Sequence, residues 1–320
     1  MPAKFFLPTP VFQSALDQVL ETTWDSFPQL APNQIALTWI VYEPPYQVNT
    51  GGALSAEAFW QYQPRGASYR GVERMEPMGM VALFYLVAVQ VWLEQGMLQP
   101  SAELERAMQD MMAGSTDAMS YVVDALSGTT SGPELSSGPA ETWQYQRNIV
   151  NRYFQHLGWP ELRAVNLNQK IWCDRPYGRE KTFLGDDREN KNLLSTEVTA
   201  RLLHSIIGGV SVSSGRSQTM MALLKQTTSG ATHASSTHPP TTTWSCTGNS
   251  RLLSYSASYV EALNAHPYQL VTFIEGKETE QNSTVIAFVE QQILEKTLAL
   301  SNAELTQENG SQTELSAETA

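Results

Sequence analysis

Among the side chains of this 320-residue sequence that could do covalent chemistry, a few stand in patterns that narrow what they can do. The two cysteines, Cys173 and Cys246, are too few for a disulfide scaffold or a four-cysteine zinc site. Cys246, in Trp244-Ser-Cys-Thr-Gly248, would be a nucleophile only with a base or positive charge at hand to form the thiolate. No basic residue lies within four positions of it, so a small buried strand residue is expected. Ser115, in Gly114-Ser-Thr-Asp-Ala118, offers either a reactive hydroxyl or a helix N-cap, and the cap is favoured. Glu180, between Arg179 and Lys181, is either a loop general base or a solvated, ion-paired glutamate, with the second favoured. The five histidines show no H-x-x-x-H spacing, so neither metal nor cofactor is expected. Asn282-Ser-Thr and Asn309-Gly-Ser match the glycosylation pattern and are read as chance matches.

The rest of the composition narrows the class. Hydrophobic residues make up 42% and charged residues 16%, enough apolar surface for a sizeable core. A net charge of −12 argues against binding nucleic acid or anionic membranes, both of which need clustered Lys and Arg. The longest apolar run, Met78 to Val89, is too short to span a bilayer. No signal peptide is read at the N-terminus, with Pro2 and Pro8 early and no apolar core, so a cytoplasmic protein with reduced thiols is expected.

Several elements must position these groups. Apolar spacing predicts a helix over 11–30, ended by Pro28. Residues 35–43 read as a strand, and 57–70 as a second strand across Pro64-Arg65-Gly66. Pro77 opens a continuously apolar helix from Met78 to Gln95, the expected centre of the core. Helices follow at 101–112, 115–126 and 141–157, and a Gly/Ser/Thr loop spans 128–139. An ordered loop is predicted over 166–193, helices at 197–207 and 217–225, and a flexible Ser/Thr loop over 226–243. Strands are expected at 241–246, 252–261 and 269–275, a closing helix over 282–300, and a disordered acidic tail beyond. This order predicts an α+β fold: one antiparallel sheet built from both chain ends, flanked by helices, with an all-helical subdomain inserted. The expected division is 1–75 plus 200–300 for the sheet subdomain, 76–199 for the helical one, and 301–320 for the tail.

That order resembles the serine β-lactamase and penicillin-binding transpeptidase fold, in particular an intracellular bacterial branch of β-lactamase-like serine hydrolases. The segment Glu76-Pro-Met-Gly-Met-Val-Ala-Leu-Phe-Tyr-Leu86 is similar to the central helix that opens with the nucleophile motif. Gly114 to Ala118 is similar to the Ser-Asp-Asn loop, with Ser115 and Asp117 in it. Glu189 to Leu202 resembles the exit from the Ω-loop, and Cys246-Thr247-Gly248 stands where the family has Lys-Thr-Gly. The resemblance implies acyl transfer by a serine and a lysine one helical turn apart. Here those positions are Gly79 and Ala82, and none of the seven lysines has a serine three residues before it.

With nucleophile, base and anchoring lysine replaced together, the expectation is an inactive relative acting as a binding or assembly protein for protein partners. The alternatives are an acyl hydrolase relying on Ser115 or Cys246 and a purely structural subunit. Gly79, Ala82, Ser115 and Cys246 are expected to share one cleft, with Cys173 near Cys246. The aromatics around the long loop, Trp143, Tyr145, Tyr153, Trp159, Trp172 and Tyr177, are expected in core and loop packing.

Overall fold

The computed structural model describes residues 5–43, 55–171, 175–225, 240–250, 253–276 and 279–318. Six strands form one sheet: β1 (Leu7–Pro8), β2 (Ile35–Val41), β3 (Arg65–Tyr69), β4 (Thr241–Asn249), β5 (Leu253–Ala262) and β6 (Tyr268–Glu275). They stand in the order β1-β3-β2-β6-β5-β4, so both chain ends build the same sheet. Strand β2 runs antiparallel to β6 from Ile35 opposite Ile274 to Val41 opposite Tyr268, which joins the two halves. Only the two-residue β1 pairs in parallel, with β3.

The sheet is covered on both faces, and β2 shows why its sequence is apolar throughout. Ile35, Leu37, Trp39 and Val41 point into one core, with helix α1 (Pro10–Ser26) and the last helix, α11 (Thr279–Glu318). Ala36 and Ile40 point into the other core, with the inserted helices. Between them Thr38 shares a hydrogen bond of 2.8 Å with Thr196. Period-two alternation therefore feeds two cores at once.

The insertion carries α3 (Val81–Glu94), α4 (Ala102–Met112), α5 (Thr116–Ser127), α6 (Ser137–Arg147), α7 (Ile149–His156), α8 (Gly178–Leu184), α9 (Thr196–Ile207) and α10 (Ser214–Leu224). A one-and-a-half-turn helix, α2 (Ala56–Gln61), precedes β3. Helix α3 is the axis of this half: every residue from Val81 to Trp92 is buried. Serine caps set several starts, Ser101 for α4, Ser115 for α5, Ser195 for α9 and Ser213 for α10. Gly128, in the left-handed region at φ 63°, ends α5.

Four expectations need correction. Residues 57–70 are not one strand: Ser55 caps a helix before β3, and the hydrogen bond that its Oγ accepts from the Ala58 amide outweighs the β-prone Phe59 and Trp60. The helix expected over 141–157 is two helices that meet at Asn148. The 166–193 loop contains α8, which Gly178 opens at a φ of 51°. The acidic segment after 300 continues α11 to Glu318, in keeping with its Ala, Glu, Leu and Gln content, all strong helix formers but for the interruption at Gly310.

Candidate active site and the charged cavity beside it

The 3-10 turn Met78–Met80 leads into α3 and packs against β4. Gly79 and Gly248 face each other there across the side chain of Tyr255 from β5. A Cβ on Gly79 would lie 2.1 Å from Tyr255 Oη, and a Cβ on Gly248 would lie 2.4 Å from the same atom. Neither glycine has a positive φ; at each, the Tyr255 hydroxyl fills the space that a Cβ would take. Cys246 is buried close by, and burial pushes its thiol up to about 12. Burial, followed by the neighbouring Cys246, also raises the Tyr255 phenol above its usual range. At neutral pH burial keeps both groups protonated. Ala82, in the first turn of α3, is buried, and Thr247 on β4 is exposed.

Ser115 is a helix cap: its Oγ accepts from the Ala118 amide at 3.2 Å, and among the described residues no other group bonds to its side chain. Asp117 is exposed in the first turn of α5, where it favours the helix dipole. Ser115 thus caps a helix and Cys246 is a buried strand residue, as their local sequences favoured. The pairing of Cys173 with Cys246 falls outside the described residues, as do Trp172, His233 and His238.

The geometry at Gly79 makes a direct prediction. Gly79→Ser alone overpacks against Tyr255 and is expected to lower stability by about 1–3 kcal/mol. Adding Tyr255→Phe removes Oη and leaves the Cζ atom 3.2 Å from the new Cβ, so most of that loss should return. Urea denaturation of the two single variants and the pair measures the coupling; additive losses would show that the hydroxyl is not the obstacle.

Beside this filled floor lies a cavity of about 630 Å³. Met78 and Glu76 from the approach to α3 form one wall, and residues from 169–171 and 175–192 form the other. Met78 sits at a φ of 46°, a region rare for a residue with a side chain. The lining has an excess of positive charge: Lys170, Arg175, Lys181, Arg188 and Lys191, against Glu76 and Asp186. Arg188 pairs with Glu76 Oε1, and Lys191 approaches Glu76 Oε2 at 4.0 Å.

Lys170 leads from the cavity into a buried charge cluster that the sequence did not reveal. Its Nζ donates to Asp124 Oδ2 and to Ser131 Oγ, each at 2.8 Å, and lies 3.8 Å from Glu180 Oε1. Ser131 in turn donates to Glu180 Oε1 at 2.8 Å. Arg147 donates to the same oxygen and lies 3.2 Å from Asp124 Oδ1, with its guanidinium over the Trp143 ring. Glu180 is thus the reverse of the solvated loop residue expected: it is fully buried, and its partners are Arg147 and Ser131 instead of Arg179 and Lys181. Its Oε2 has no hydrogen-bond partner among the described residues, and neither do Arg147 Nε and Nη1. No periodicity could have flagged this group, because its members come from α5, α6, α8 and two loops. Among the described residues no cluster of three or more His, Cys, Asp or Glu is placed to hold a metal.

Comparison with known proteins bears on the chemistry. The family model of the "Beta-lactamase enzyme family" matches residues 144–297, just under half of the chain. No curated protein sequence matches. A solved β-lactamase from Sphaerobacter thermophilus superposes with a TM-score of 0.58 at 13% identity, covering 87% of this chain and 96% of that one. The structure of PBP-A gives a TM-score of 0.57 at 14% identity, over 91% and 97% of the two chains. A β-lactamase from Chitinophaga pinensis gives 0.54 at 13% identity, over 91% and 100%. The fold is that of the serine β-lactamases and penicillin-binding proteins, as the order of segments implied.

These findings overturn the expectation of an inactive binding or assembly protein. The matched family is one of enzymes, and the similar structures include β-lactamases. The absence of Ser-x-x-Lys says where this chain has no nucleophile; it is not evidence of inactivity. No helix among the described residues is long and apolar enough to cross a membrane.

Proposed function

We propose that this chain is a hydrolase of the β-lactamase fold, and that its substrate is a small acyl compound bearing a carboxylate or similar anionic group. The observation that carries this reading is the charge of the cavity beside α3. Five basic side chains line it against two acidic ones, in a chain whose net charge is −12. Such a concentration of cations against the overall charge focuses the field on an anionic ligand. Volume supports the same reading, since about 630 Å³ suits a small molecule rather than a protein segment. The strained Met78 on the cavity wall supports it too, because backbone strain collects at working sites. The proposed compartment is the cytoplasm, in keeping with a chain that has only two cysteines.

Benzylpenicillin and its neutral methyl ester test the charge requirement. The acid at a hundredfold excess over its dissociation constant should stabilise the fold by about 2.7 kcal/mol in thermal melts. The ester should bind at least tenfold more weakly, and Arg175→Gln should weaken the acid but not the ester. Equal affinity for acid and ester, or no shift with either and with no turnover of simple anionic thioesters, would refute the reading.

A further inference from the structure

We propose that Ser131 is the nucleophile of this chain, and that Lys170 and Glu180 activate it behind the wall of the cationic cavity that Lys170 lines. The proposal rests on the hydrolase reading above and assigns its reacting atom.

Three observations carry it. Ser131 Oγ accepts from Lys170 Nζ and donates to Glu180 Oε1, both at 2.8 Å, so its proton already points at a carboxylate. Lys170 lines the cavity, and Ser131, bonded to it, is half-buried. Ser131 is also held still. Its loop is tied to the far wall by Arg179, whose amide donates to Gly132 O at 3.1 Å and whose Nε donates to Pro133 O at 3.0 Å. On the other side, Trp143 Nε1 donates to Thr130 O at 2.9 Å.

Several buried atoms of the cluster are left without hydrogen-bond partners among the described residues. A network kept only for stability should satisfy its buried atoms, because each orphan costs about 1–3 kcal/mol. Here Glu180 Oε2 and two guanidinium nitrogens of Arg147 are buried without hydrogen-bond partners among the described residues. A buried cluster of charges that meets a cavity through Lys170 is the kind of grouping found at reaction sites.

The chemistry balances on these atoms. Ser131 Oγ attacks the acyl carbonyl carbon as its proton passes to Glu180 Oε1. Lys170, still an ammonium, donates to the carbonyl oxygen as it becomes an oxyanion. The bond from carbonyl carbon to leaving group breaks, and Glu180 returns the proton to the leaving atom. Water then attacks the Ser131 ester by the same path, and releases the acid and the free hydroxyl.

An alkyl fluorophosphonate, which phosphonylates activated serines, is the probe. Incubated with the full chain, it should add one phosphonyl group by intact mass, mapped by peptide sequencing to Ser131. Ser131→Ala should abolish the adduct, and with it turnover of an anionic thioester by three or more powers of ten, while the melting temperature stays within a few degrees. Ser131→Cys provides a second measure: the introduced thiol should react with iodoacetamide at least tenfold faster than free cysteine. An adduct on another residue, a slow thiol in the Ser131→Cys variant, or no adduct in a folded protein that still binds benzylpenicillin, would overturn this proposal while leaving the anionic cavity standing. Labelling of Ser131 with no discrimination between acid and ester would do the opposite.

Discussion

Arg147→Met is expected to destabilise the fold by about 3–5 kcal/mol, a large part of the 5–15 kcal/mol that holds a typical domain folded. The Arg147 side chain is fully buried and pairs with both Glu180 and Asp124. Two cations and two carboxylates balance in this cluster, and the removal of one cation leaves a buried carboxylate with no charge to answer it. The partner matters more than the loss of packing. Arg147→Met combined with Glu180→Gln should therefore be more stable than Arg147→Met alone, because Lys170 and Asp124 remain as a matched pair at 2.8 Å. Urea melts of the wild type, both single variants and the pair measure the coupling. If the double variant loses the sum of the two single losses, the cluster is not an electrostatic unit.

A second large effect is acid destabilisation centred on His204. This ring is fully buried among Phe5, Phe59, Trp60 and Tyr42. Gln269 Nε2 donates to Ala200 O, which fixes the amide so that Oε1 accepts from Tyr42 Oη. Tyr42 has then spent its proton, so His204 Nδ1 must be the donor in its 3.0 Å bond to Tyr42. A second proton would have to be taken in a desolvated aromatic box beside the Arg201 guanidinium. Burial first, and Arg201 second, hold the His204 pKa down at about 3.

The sign follows. Between about pH 6.5 and about 3 the unfolded chain takes a proton that the folded chain refuses, so stability falls as pH drops through that window. Above pH 6.5 the group is neutral in both states and contributes no slope. From pH 7 to 5 the loss should reach about 2 kcal/mol, before most carboxylates begin to titrate. His204→Gln should be less stable at pH 7 yet flatten this slope. Melts at pH 7, 6 and 5 compare the two proteins, and equal slopes would mean that His204 takes up a proton in the folded state.

Much of the fold was legible from residues alone. The sheet strands near 35–41, 253–262 and 268–275 announce themselves by β-branched and aromatic runs, and α3 by unbroken apolarity. Caps read correctly for the same reason: Ser115 acts on an amide three residues ahead, a distance that sequence sees. The resemblance carried by the order of segments also held, since order survives where single motifs have changed.

What the sequence could not determine is whatever depends on which groups meet. Gly79 reads as a missing serine, but only the fold puts the Tyr255 hydroxyl into the space a side chain would occupy. Glu180 reads as a solvated charge between Arg179 and Lys181, yet α8 turns it inward onto Arg147 and Ser131, 33 and 49 positions away. Ser131 lay unnoticed in a Gly/Ser/Thr loop and Lys170 in a polar run. Each is ordinary by itself, and their chemistry exists only across a 2.8 Å hydrogen bond between segments 39 residues apart. Local propensity acts over a few residues and is written in them. Activation of a hydroxyl, desolvation of a histidine and the field in a cavity are sums over neighbours in space, and the packing of distant segments alone decides who those neighbours are.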